Sequence, residues 1–314
     1  MRRTHSLLRA PCPGLRLAAP SLVPPTPTAA AAPHPTRRLA AAAAAAAADP
    51  AILLHDVTPR DGLQNEEAIL TTESKLALIE KLLAANPTSV EVTSFVRADL
   101  IPALADASEL CKRLADAEWA ARARTEGVRF AGLVPNMRGY ETLREHRDAL
   151  DTVCVLTSST DSHSKANVNR TIAEALEATC AVITQARSEG FTVQAYVSMC
   201  FGCPFEGEVD PAVVQDIVQA YAEVDADMIV ICDTLGIGYP EQADVLLGNA
   251  IESGVPVETL ALHIHDTHVR PPSLLPSDRL CKLRNLRTCS LAGLLTLNFS
   301  RPSGLRNPPV LQRS

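Results

Sequence analysis

Aromatic residues are scarce in this chain: one Trp, four Tyr and six Phe, 4% of 314 residues. That is a poor supply for a surface that binds nucleic acid by stacking bases on rings. Apolar residues make up 46%, enough for a sizeable core. No apolar run approaches the roughly 20 residues of a membrane-spanning helix, so neither a membrane nor nucleic acid is an expected partner. Cysteine gives no pairing pattern either. The nine Cys are an odd number and stand singly apart from Cys200-Phe-Gly-Cys203, which argues for free thiols in a reducing compartment rather than a disulfide framework.

Acid is missing from residues 1–48, which hold six Arg and no Lys, a net +6. This stretch is rich in Arg, Ser, Thr, Pro and Ala and ends in nine alanines, Ala40 to Ala48. Pro11, Pro13 and Pro20 interrupt the apolar residues a secretory signal would need, so the composition is that of an organelle transit peptide. Mitochondrion and plastid are not separable on composition. Residues 49–269 carry 15 basic and 35 acidic residues, a net −20, and residues 270–314 carry eight basic residues and one acid, Asp278, a net +7. The acidic body argues against a phosphate backbone as partner, because such binding needs a basic footprint. Three segments are expected: a transit or low-complexity segment over 1–48, a folded body over 49–269 and a divergent basic tail over 270–314.

Within the body, short β-branched or apolar runs recur every 24 to 40 residues: Ile52–Thr58, Ser89–Phe95, Val128–Val134, Thr152–Ser158, Thr192–Met199, Met228–Thr234 and Leu260–Thr267. Each interval accommodates a helix and two loops. Thr71 or Thr72 is placed to cap a helix with a Leu76, Ile79, Leu82 and Leu83 stripe. Asn169 is placed to cap another with Ile172, Leu176, Thr179 and Ile183 on one face, closed by Gly190. Asp210-Pro211 and Pro240 suit the openings of two more. Repeated β-then-α units specify a parallel sheet. No Gly-x-Gly-x-x-Gly follows the first strand, and polar residues end nearly every strand. That favours an α/β (β/α)8 TIM barrel over an open sheet with one switch point. The barrel reads as incomplete, since seven units are recognisable and the rhythm stops after Thr267.

Four groups could carry chemistry. In Asp56-Val-Thr-Pro-Arg60-Asp61-Gly-Leu-Gln64, Pro59 and Gly62 force a sharp turn after the first strand. The turn presents a cation beside an anion, either for metal and oxyanion binding or as a surface ion pair. In His263-Ile-His265-Asp266-Thr267 the two imidazoles share one strand face. They are metal ligands, hydrogen-bonded core histidines or a solvent-facing pair. Two nitrogens with a carboxylate suit a divalent cation, Mg²⁺ or Mn²⁺ if oxygens complete the shell, with Zn²⁺ as an alternative. Glu91 and Asp233 are acids in or at the end of apolar strands and need partners, Arg60 or the histidines. Cys200-x-x-Cys203 lacks a second pair and reads as a tight Gly/Pro loop with incidental thiols.

At these residues the sequence resembles hydroxymethylglutaryl-CoA lyases. The resemblance runs over Thr58-Pro-Arg-Asp-Gly-Leu-Gln-Asn-Glu66, Ser89-Val-Glu-Val-Thr-Ser-Phe-Val96, Gly132-Leu-Val-Pro-Asn-Met-Arg-Gly-Tyr-Glu141, Ser164-Lys-Ala-Asn-Val-Asn169, Gly202-Cys-Pro-Phe-Glu-Gly207, Asp233-Thr-Leu-Gly-Ile-Gly238 and His263-Ile-His-Asp-Thr267. It implies a mitochondrial-matrix metal lyase that splits 3-hydroxy-3-methylglutaryl-CoA into acetyl-CoA and acetoacetate in leucine degradation and ketone-body formation. It further implies an acyl-CoA thioester as ligand, with a homodimer as one option for assembly. It makes Asp61, His263 and His265 the metal ligands, and Arg60, Glu91, Asp233 and His263 the catalytic set. Arg60 and Gln64 become substrate contacts. A divalent cation and a guanidinium aimed at a developing enolate suit such a retro-Claisen cleavage.

Related condensing synthases share the Arg-Asp-Gly and His-x-His elements but usually continue Glu-Gln where this chain has Leu63-Gln64. After Thr267 the family's Gly-rich loop with a catalytic Cys, its Asn ligand and its eighth strand have no recognisable counterpart. Cys281 and Cys289 stand in other contexts. An inactive lyase fragment and a condensing synthase are therefore the competing expectations.

Overall fold

The computed structural model describes residues 53–265 and 287–289. Eight parallel strands close into a barrel, each hydrogen-bonded to the next in chain order. They are β1 (Leu54–Asp56), β2 (Ser89–Ser94), β3 (Arg129–Leu133), β4 (Thr152–Ser158), β5 (Thr192–Ser198), β6 (Met228–Asp233), β7 (Leu260–Ile264) and β8 (Arg287–Cys289). Helices α1 (Thr72–Leu82), α2 (Ala107–Asp116), α3 (Glu118–Thr125), α4 (Met137–Leu143), α5 (Asp161–Val168), α6 (Ile172–Ser188), α7 (Pro211–Glu223) and α8 (Pro240–Glu252) occupy the connections. Among the described residues, no helix is long and apolar enough to cross a membrane.

Seven strands fall within the seven predicted runs. The eighth comes from the tail, where no repeating pattern announced it. Its three residues pair with β7 through Ala261↔Arg287, Leu262↔Thr288 and His263↔Cys289, and with β1 through Leu54↔Thr288 and His55↔Cys289. The barrel is thus ringed by eight strands, while a complete eighth β-then-α unit is not seen among the described residues. The expected segment 1–48, most of the tail including Cys281, and Asp266 and Thr267 lie outside those residues.

Strand alternation sorts the side chains into two layers. Val90, Val92, Val153, Val155, Val193, Val197, Ile229, Ile231 and Leu262 face outward and are buried under the helices with Ile79, Leu110, Leu114, Ile183, Ile217 and Leu247. The inward set is smaller and softer: Ala131, Leu133, Cys154, Tyr196, Met228, Val230, Cys232 and Ala261. Most of the other inward positions are polar, and His55, Ser89, Glu91, Gln194, Ser198 and His263 are all buried. Buried polar groups must find partners inside the barrel, so these residues mark where the sequence trades core for chemistry.

Helix ends follow local rules with one correction. The Thr71 hydroxyl accepts the Ser74 N–H at the start of α1, and the Asp210 carboxylate accepts that of Ala212 at the start of α7. Asn169 does not cap α6. It takes a left-handed conformation, φ 54°, that terminates α5, a role open to Asn because its short polar side chain tolerates that region. Thr171 caps α6 instead, in a reciprocal capping box with Glu174.

Candidate active site and metal centre

Strand β1 ends at Asp56, whose carboxylate accepts the Thr58 N–H at 2.8 Å. The chain then makes a wide helical turn over Thr58–Gly62 in which Arg60, Asp61 and Gly62 all direct their N–H groups at the Val57 carbonyl. Pro59 supplies the fixed φ that opens such a turn. The turn sets Arg60 and Asp61 at the C-terminal mouth of the barrel, with Gln64 half-buried just beyond.

Asp61 meets both histidines. Its Oδ2 lies 3.2 Å from His263 Nε2 and 3.3 Å from His265 Nε2, and the two imidazole nitrogens are 2.8 Å apart. The three residues form a cluster whose ligand atoms converge on one point. Ligands at right angles on an ion with bonds of about 2.1 Å sit about 3.0 Å apart, so the spacing fits a divalent cation. The donor set fits equally: one carboxylate oxygen and two neutral imidazoles. Burial works against charge at Asp61, but hydrogen bonds to His263 and His265 and the nearby Arg60 hold its carboxyl far below the usual range. Burial also lowers the His263 pKa against the pull of Asp61, keeping the ring neutral and able to ligate.

Arg60 links this cluster to Glu91. Its Nη1 donates to Asp61 Oδ1 at 2.9 Å, and its Nε donates to Glu91 Oε1. Burial disfavours the guanidinium charge, but the carboxylates of Glu91 and Asp61 more than offset this and raise its pKa. Glu91 is fully buried on β2. The β2–β3 pairing slips between Glu91 and Thr93, a bulge of the kind that re-aims a side chain. Burial raises the carboxyl pKa of Glu91, yet Arg60 and His55 pull it down to about 2. Tyr196 donates its hydroxyl to Glu91 Oε2 at 2.6 Å, and its ring lies edge-on to His263 with centroids 6.2 Å apart.

Asp233 stands apart from this cluster. Its Oδ1 accepts the Ile237 N–H at 3.1 Å and its Oδ2 the Gly238 N–H at 2.9 Å. Its backbone carbonyl accepts the His265 N–H at 3.3 Å. The carboxylate therefore braces the loop after β6 while the backbone steadies a histidine. Cys200 and Cys203 are buried in the loop after β5, where Cys203 and Gly207 exchange backbone hydrogen bonds at 2.8 and 2.9 Å, the tight turn read from the sequence.

Tyr196, His55 and Cys154 were not singled out from the sequence. Tyr196 shares strand parity with Gln194 and Ser198, and that alternation was the available signal. Cys154 lies between Val153 and Val155, and His55 follows Leu53 and Leu54, so both read simply as strand.

The family model described as HMGL-like matches residues 51–269. The chain belongs to the HMGL-like family. Hydroxymethylglutaryl-CoA lyase YngG of Bacillus subtilis is 35% identical over 216 residues, covering 69% of each chain. The (R)-citramalyl-CoA lyase of Chloroflexus aurantiacus is 35% identical over 219 residues, 69% of this chain and 68% of its own. The mitochondrial hydroxymethylglutaryl-CoA lyase of Arabidopsis thaliana is 36% identical over 213 residues, 68% of this chain and 43% of its own. Among solved structures, an A. baumannii HMG-CoA lyase in complex with coenzyme A and 3-methylmalate superposes with a TM-score of 0.66 at 25% identity, covering 76% of this chain and 74% of that one. Carbon–carbon lyase chemistry is the trait of this HMGL-like family, and Asp61, His263 and His265 are a group able to hold a metal ion.

Proposed function

We propose that this chain cleaves 3-hydroxy-3-methylglutaryl-CoA to acetyl-CoA and acetoacetate, using Mg²⁺ or Mn²⁺ held by Asp61, His263 and His265. The convergence of those three residues beside the Arg60–Glu91 pair carries the reading. When bound, the cation supplies Lewis-acid polarisation of the substrate's oxygens. The protein's own groups do the rest. In the cleavage a general base takes the C3 hydroxyl proton, and the freed oxygen pair forms the ketone of acetoacetate. The C2–C3 pair becomes a negatively charged thioester enolate that takes up a proton to give acetyl-CoA. Arg60 is fixed by two carboxylates and keeps its remaining N–H groups for that charge, without reorganising as it develops. Glu91 is a positioning residue that sets the guanidinium plane. Asp233 positions the loop and the His265 backbone, and Gln64 is placed to contact substrate from the turn. Inward His263, neutral in its buried setting, lies edge-on to the Tyr196 ring.

Support for a CoA thioester comes from the A. baumannii complex. Support for a mitochondrial address comes from the Arg-rich, acid-free residues 1–48 and from the Arabidopsis relative. The folded body over 49–269 then forms the catalytic domain. The test uses purified chain, Mg²⁺ and two substrates. Acetoacetate from hydroxymethylglutaryl-CoA is expected. Pyruvate from citramalyl-CoA alone would transfer the reading to the second relative's reaction, and no product from either would refute both.

A further inference from the structure

Beneath Arg60, the barrel holds a second cluster, of which the lyase reading uses only Glu91. His55 on β1, Glu91 on β2 and Cys154 on β4 are all buried, and one ligand atom from each lies within 4.8 Å of the others. His55 Nε2 is 3.5 Å from Glu91 Oε2, its Nδ1 is hydrogen-bonded to Ser89 Oγ, and Cys154 Sγ lies 3.7 Å from Gln194 Oε1. The Ser89 contact orients the imidazole as an outer partner does in metal sites. A cavity at the opposite, N-terminal mouth of the barrel is lined by His55, Ser89, Arg129, Gln194 and Met228. It reaches one member of the cluster, His55, and its neighbour Gln194 from that mouth, and none of the Asp61-site residues lines it.

We infer that His55, Glu91 and Cys154 form a second binding site, selective for a thiophilic divalent cation such as Zn²⁺ or Co²⁺. One imidazole nitrogen, one carboxylate oxygen and one thiolate are the donors a tetrahedral zinc centre accepts, and a fourth position remains for Gln194 or water. Mg²⁺ is disfavoured because a hard cation gains little from a soft thiolate donor. Charge also balances. Glu91 is already ionised, binding expels the Cys154 thiol proton to solvent, and carboxylate plus thiolate neutralise the dication. Glu91 Oε1 stays with Arg60 while Oε2, now shared by His55 and Tyr196, turns to the cation.

The test titrates Co²⁺ into the purified full chain under saturating Mg²⁺ and reads near-ultraviolet absorbance, independent of lyase activity. A thiolate-to-cobalt charge-transfer band saturating at one equivalent is expected. The Asp61, His263 and His265 site contains no sulfur and cannot produce it. Zn²⁺ abolishes the band, Mg²⁺ leaves it, and Cys154→Ser removes it. No band in the wild-type protein, a band unchanged in Cys154→Ser, or a band erased by Mg²⁺ overturns the inference. Should Cys154→Ser fail to fold, alkylation of the wild-type protein decides. Zn²⁺ at ten times its dissociation constant slows modification of Cys154 about tenfold, since only the metal-free state opens to reagent. An unchanged rate refutes the site.

Discussion

Replacing Glu91 with Gln keeps the size and the hydrogen-bonding shape but deletes the charge that faces Arg60. In the native protein, burial raises the carboxyl pKa, and Arg60 and His55 overcome it to leave a value of about 2 against an ordinary 4.5. At 1.36 kcal/mol per unit of pKa, that difference corresponds to about 3 kcal/mol. The folded-state pKa is depressed, so this stability is present above the unfolded value of 4.5 and is lost as pH falls towards 2. An estimate from another direction agrees, since removing one partner of a buried ion pair costs about 3–5 kcal/mol. The assay is urea denaturation of wild type and Glu91→Gln at a series of pH values, with unfolding free energies compared at each. The gap should be about 3 kcal/mol at neutral pH and should fall below about 1 kcal/mol near pH 2.5. Other carboxylates titrate in both proteins and cancel in the difference. A gap that does not change between neutral and acid pH would refute the electrostatic argument, whatever its size.

Arg60→Lys keeps the charge but cannot bridge Glu91 and Asp61 through a planar fork; kcat for acetoacetate formation should drop about 10²–10³-fold. Asp61→Asn should raise the Mg²⁺ concentration needed for half-maximal activity, and chelation of the wild-type enzyme should abolish acetoacetate formation until Mg²⁺ or Mn²⁺ is restored. Two glycines make a paired stability test. A Cβ at Gly238 would sit 2.6 Å from Phe201 Cδ1 and 3.0 Å from Asp233 Oδ2, so Gly238→Ala should cost about 1–3 kcal/mol in thermal unfolding. Gly248 lies within α8 with nothing within 4 Å of an added Cβ, so Gly248→Ala should be neutral or stabilising by up to about 1 kcal/mol.

The fold was legible because parallel strands buried on both faces write themselves as apolar runs, from Ile52 to Leu260, with helices between them. The cluster was legible where spacing carries geometry: His263 and His265 are two apart on a strand, and Asp61 sits on a turn forced by Pro59 and Gly62. Long-range partners were harder. Arg60 was anticipated as a partner for Glu91, but Tyr196 was not, because a tyrosine in a strand gives no sign of which inward acid it will reach. His55 is likewise written among Leu53, Leu54 and Val57 as part of a strand. Asp233 was placed with the histidines, whereas its carboxylate serves two loop amides after β6, a local use that an acid at a strand end does not advertise. Strand β8 was missed for a different reason. At three residues it is too short for any period, and its place is assigned by the two edges it joins.

Those edges give the barrel an uneven seam. Strands β4 and β5 run in register along their full length, Thr152–Ser158 against Thr192–Ser198. Between β7 and β1, among the described residues, the ring is completed by Arg287–Cys289 alone. Asp61 follows β1, and His263 and His265 belong to β7 and its end, so the Asp61–histidine cluster straddles that seam from above. Any ion that ligates all three side chains clasps the first strand to the seventh. Occupancy and barrel closure are therefore thermodynamically coupled: whatever opens the seam weakens the ion's hold, and the ion resists the opening by the same free energy. The cation would act as a rivet as well as a reagent, placed where a three-residue strand joins the two ends of the ring.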